Sequence, residues 1–115
     1  MFIAAALLSC LLAAAITGSA IAKLVRSPHI VDTMRNVGYP LDKLWIPSVV
    51  ELVAATGLVA GLEWWPIGVA AAVGTALFFA IAVWAHLRAK DPGHGPAAGF
   101  LVLAVVAAGL RLAAA

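Results

Sequence analysis

Between Phe2 and Ala22 the chain carries no charged residue, and Lys23 closes the run. A helix rises about 1.5 Å per residue, so about 20 apolar residues cross the roughly 30 Å hydrocarbon core of a bilayer. The pattern returns three times. Trp45–Leu62 holds one charge, Glu51; Ile67–Leu87 holds none; and the run opened by Pro96 and reaching Ala115 holds only Arg111. Spans are therefore expected at about 2–25, 45–62, 66–88 and 97–115. Composition removes the soluble alternative. Apolar residues make up 65% and charged residues 10%, where soluble domains hold about 45–50% and about 25%. A soluble domain of this size hides only about two thirds of its chain surface. The expected fold is all-α: a single integral-membrane four-helix bundle over residues 1–115, with lipid as its surroundings.

The first run ends on Ala20-Ile-Ala22, which looks like a small-residue cleavage site. It lacks a basic leading region and is long for a signal peptide, so a retained first span is expected. Arg26–Leu44 is the one sizeable hydrophilic stretch. Ser27 and Pro28 suit an N-cap and first helical position. Ile30, Val31, Met34 and Val37 then share a face opposite Asp32, Arg35 and Asn36, and Gly38 suits a stop. This predicts a short helix in the interface plane between spans one and two; an irregular loop is the alternative. The link Leu62-Glu-Trp-Trp-Pro66 is short enough to make spans two and three antiparallel neighbours. Its tryptophans mark a membrane–water interface. Arg88–Pro96 reads as a charged turn.

The net charge of +2 does not suggest nucleic acid. The basic residues instead give orientation. Lys23, Arg26, Arg35, Lys43, Arg88 and Lys90 fall after spans one and three, against Arg111 and the amino terminus on the other side. The bias places those linkers in the cytoplasm and the termini outside, in a cytoplasmic (bacterial inner) membrane.

Up-and-down spans bring Lys23, Glu51 and His86 to similar depth. Charges there are costly and are usually paired or line a cavity. Thr75, Phe79, Ala82 and His86 share one stripe of span three, so His86 points inward with a ring and a hydroxyl. A second pair, Glu63 with Arg111, is expected at the opposite face. Three readings stay open: snorkelling anchors, a structural ion pair fixing helix register, and a site that handles protons or a polar headgroup. Ala54, Gly57 and Gly61 form a small-residue stripe for helix packing. The lone Cys10 can form no internal disulfide and reads as a small core residue. His29 and His94 read as solvated loop residues. With only His86 inside a span, neither a haem nor a metal site is expected, and no catalytic nucleophile–base set is present.

The pattern resembles the DoxX-like family of small four-span membrane proteins. The matching fragments are Ala22-Lys23-Leu24, Gly38-Tyr39-Pro40, Pro47 with Glu51-Leu-Val-Ala-Ala-Thr-Gly57-Leu58, His86-Leu87-Arg88, and the late Arg111. A glycine often precedes the lysine in the family; here Ala20 and Ile21 stand near Lys23, and Gly18 takes that place. The resemblance implies a four-helix bundle. For some members it implies quinone-linked oxidoreduction, including a small subunit of a thiosulfate–quinone oxidoreductase; more distant relatives are membrane chaperones or cargo receptors.

The expected role is a subunit or accessory protein without self-contained catalysis, binding lipid, quinone or partner helices, as a homo-oligomer or within a larger membrane complex. One alternative is the membrane component of a quinone-linked oxidoreductase, which needs a donor near each carbonyl. The second is a small proton-coupled multidrug exporter using Glu51. A quinone or a bound lipid is the only cofactor the residues suggest.

Overall fold

The computed structural model describes residues 1–91 and 95–115. Five α-helices appear among them: α1 (Phe2–Leu24), α2 (Pro28–Val37), α3 (Trp45–Ala60), α4 (Trp65–Arg88) and α5 (Gly95–Ala113). Four of these, α3 being extended back to Leu41 by a 3-10 turn at Leu41–Lys43, are long and apolar enough to cross a membrane. The helix bounds fall within about two residues of the expected span bounds, the usual uncertainty of helix ends, while the 3-10 turn carries the second candidate span further back, to Leu41. The turn itself was not foreseen.

The spans run up and down, and each packs on two neighbours in the order α1, α3, α4, α5 and back to α1. The long dimension of 40 Å exceeds the roughly 30 Å hydrocarbon core. Trp45 and Trp84 lie exposed near one end and Trp64 and Trp65 near the other, where amphipathic rings meet headgroups. The Arg88 guanidinium lies 5.2 Å over the Trp84 ring.

Size is sorted in a way that only lipid permits. The interior holds many alanines (Ala5, Ala13, Ala20, Ala55, Ala72, Ala97, Ala104 and Ala107) with Leu12, Ile16, Leu58 and Phe79. Large residues such as Leu7, Leu11, Val53, Leu77, Ile81 and Val102 point outward. Lipid tails are as apolar as leucine, so the helices associate by close packing and interhelical hydrogen bonds rather than by hiding apolar area. Cys10 is also exposed. This corrects the core reading: Ser9, Leu12, Ala13 and Ile16 set the inward face of α1, and position 10 falls off it.

Three helices end with the same backbone device. The amides of Arg26 and Ser27 bond the carbonyls of Lys23 and Ala22, those of Gly38 and Tyr39 bond Arg35 and Met34, and those of Lys90 and Asp91 bond Leu87 and His86. Each end carries one left-handed residue: Arg26 (φ 54°) and Lys90 (φ 55°) just after the caps Val25 and Ala89, and Gly38 (φ 78°) as the cap of α2 itself. Only Gly38 adopts that backbone without a Cβ penalty. Pro28 opens α2 and Gly38 closes it as expected, but the Ser27 side chain makes no cap hydrogen bond. The helix lies across one end of the bundle against α1 and α4.

Candidate functional site

The buried polar groups begin with Lys23, in the last turn of α1, and Glu51, in the second turn of α3. The Lys23 Nζ donates to Glu51 Oε1 at 2.6 Å and to Ser19 Oγ at 2.8 Å. The two residues are only 6% and 2% exposed. Each charge alone would suffer the full desolvation cost; together, with a hydroxyl, they offset much of it. Three residues before Glu51, on the same face of α3, Ser48 shares its proton between Leu44 O at 3.0 Å and Ala20 O at 3.2 Å. The α1–α3 seam is thus stitched twice. Ser48 escaped sequence reasoning, although its spacing from Glu51 places both on one helical face.

His86 comes to the same end of the bundle but is not bonded to Lys23 or Glu51. Its Nδ1 donates to Asp91 Oδ2 at 2.6 Å, leaving Nε2 as the ring's other polar atom. The left-handed turn at Lys90 folds Asp91 back over the end of α4, and that makes the pair. Thr75 and Phe79 are buried on the same stripe. Thr75 Oγ1 donates to Ala71 O at 2.7 Å, and Phe79 stacks on Phe100 of α5 with centroids 4.7 Å apart.

The expected Glu63–Arg111 pair is not present. Glu63 is exposed, whereas Arg111 is 5% exposed, with its Nε donating to Gly61 O at 2.8 Å and its guanidinium 5.3 Å from the Phe2 ring. Gly61 ends α3, where carbonyls lack partners within the helix. The buried cation satisfies one of these instead of reaching a solvated carboxylate. Nη1 of Arg111 has no protein partner among the described residues.

Gly57 and Gly61 face α4, with Ala54 partly buried beside them. A Cβ at Gly57 would lie 2.8 Å from that of Ala71, and one at Gly61 would collide with the backbone of Gly68. The polar and small faces of α3 are therefore different faces.

Two cavities flank the Lys23–Glu51 pair. A chamber of about 290 Å³ lies beneath α2; Lys23, Ser19, His29 and His86 line it with Phe79 and Phe100. The apolar face of α2 thus covers this chamber through Ile30, Met34 and Val37, rather than only resting on lipid. His29 lines it while remaining exposed; His94 lies outside the described residues. Tyr39, also at the chamber, donates its hydroxyl to Lys43 O at 2.7 Å. Burial, and then the charge of Asp42, raise its pKa above the usual 10.0, so the phenol stays a donor. The second cavity, about 360 Å³, lies on the Glu51 side between α3 and α4.

Four spans closed around a buried ion pair define a small multi-pass membrane protein. The DoxX-like family profile matches residues 7–109, and the chain belongs to that family. Neither a curated protein nor a solved structure gives a match.

Proposed function

We propose that this protein is a membrane subunit without catalysis of its own that holds the head of a lipid-soluble quinone in the chamber beneath α2. The supporting observation is the chamber's composition. Its walls are mostly apolar and aromatic, with Lys23, His86 and His29 converging on one space, the usual make-up of a small-molecule site. Lys23 spends two of its three N–H donors on Ser19 and Glu51, which leaves one for a quinone carbonyl. Electrons would come from a partner protein, as in a quinone-linked oxidoreductase. In this reading the protein sits in a cytoplasmic membrane, termini outside, within an oligomer or larger complex. The exporter reading lacks a supporting feature, since Glu51 is tied to Lys23 rather than open to alternating sides.

The test is extraction into native lipid discs, followed by mass spectrometry of the bound lipids and labelling with a photoreactive quinone. The expected result is quinone enriched over the surrounding membrane, with label on α2 or α4 that is lost when Ala82→Leu fills the chamber. Phospholipid alone, or labelling indifferent to Ala82→Leu, His86→Ala and Glu51→Gln, overturns the assignment.

A further inference from the structure

The cavity on the other side of the ion pair differs from the chamber in one chemical respect: it offers acceptors only. Glu51 lines it, is 2% exposed, and its Oε2 has no hydrogen-bond partner among the described residues. Thr75, on the facing wall, has already given its proton to Ala71 O, so only its lone pairs remain. The other walls are apolar, Ile16, Val53, Phe78 and Phe79 among them. An acceptor left unmatched in a dry interior is costly, and a matched one recovers that cost.

We infer that this cavity is a second binding site, selective for a neutral hydrogen-bond donor on an apolar body: an alcohol or a phenol. Its hydroxyl donates to Glu51 Oε2, which the walls cover in the unliganded protein and which a small side-chain shift uncovers. Neutrality follows from charge. Lys23 already balances Glu51, and a second cation would bring an unpaired buried charge beside it. Ketones, ethers and esters bring further acceptors to a site that holds no donor. Size is sufficient, since an engineered apolar cavity of about 150 Å³ admits benzene and this one measures about 360 Å³. The inference does not rest on the quinone reading, which concerns the chamber on the Lys23 side.

The probes are 1-naphthol and its methyl-capped analogue 1-methoxynaphthalene. Each is titrated into the protein in lipid nanodiscs by ligand-observed NMR, with concentrations corrected for partition into the bilayer. Naphthol is expected to bind at least about tenfold tighter, the value of a hydrogen bond to a charged acceptor. Glu51→Gln removes the preference. Gly74→Leu removes binding: Gly74 lines the cavity and a Cβ there meets nothing within 4 Å, so this variant fills the space while leaving the ion pair intact. Equal affinity for the two probes, no binding of either, or naphthol binding that survives Gly74→Leu overturns the assignment.

Discussion

Helix α3 joins its two neighbours by opposite means. Toward α1 it presents Ser48 and Glu51, and the seam is held by hydrogen bonds to Ala20 O and Lys23 Nζ. Toward α4 it presents Gly57 and Gly61, and the seam is held by backbones close enough to exclude a Cβ. In water both seams would be driven by apolar area. In lipid that drive is absent, and polar bonding and close packing are what remain. One helix thus uses each on a separate face. Cavities border both faces: Lys23 lines the chamber beneath α2, while Glu51 and Gly57 both line the cavity between α3 and α4.

The comparison breaks most clearly at Lys23. Lys23→Met strands the Glu51 carboxylate and is expected to destabilise the bundle by about 3–5 kcal/mol, read by steric-trap unfolding in bicelles. Lys23→Met with Glu51→Leu is expected to recover most of that loss, since an apolar pair in lipid strands no charge. Gly61→Ala comes next, at about 1–3 kcal/mol as an overpacking cost; its added methyl meets the Gly68 backbone, which cannot rotate away. The close contact of Gly57→Ala is with the Ala71 methyl rather than with backbone, and its loss should be smaller in the same assay. Ser48→Ala is the mildest, at about 0.6 kcal/mol, typical of an interhelical hydrogen bond in a membrane. A Ser48→Ala loss exceeding that of Gly61→Ala would reverse the ranking of the seams.

Much of this is legible in the sequence. Four apolar runs of sufficient length fix four spans, and an up-and-down order then places Lys23, Glu51 and His86 at one end. Pro28 and Gly38 bracket α2 because each residue type suits its backbone position. The partner choices were less legible. His86 pairs with Asp91 only because Lys90 turns left-handed, a conformation that sequence favours for glycine and not for lysine. Charge alone pairs Arg111 with Glu63, yet the buried guanidinium bonds the carbonyl of Gly61 at the end of α3 instead. Pairing by sign overlooks backbone acceptors, which carry no letter of their own. The cavities depend on where whole helices sit and leave no trace in the spacing of residues.

A lysine and a glutamate meet inside this lipid-bathed bundle. Solid-state NMR on protein in bilayers, with nitrogen-15 at the side chain of Lys23 and carbon-13 at the carboxyl of Glu51, measures their separation directly. Strong dipolar recoupling, as direct contact between Nζ and Oε1 at 2.6 Å requires, is the result expected. Absence of recoupling in a folded sample, with the carboxylate reached by lipid or water instead, would contradict it.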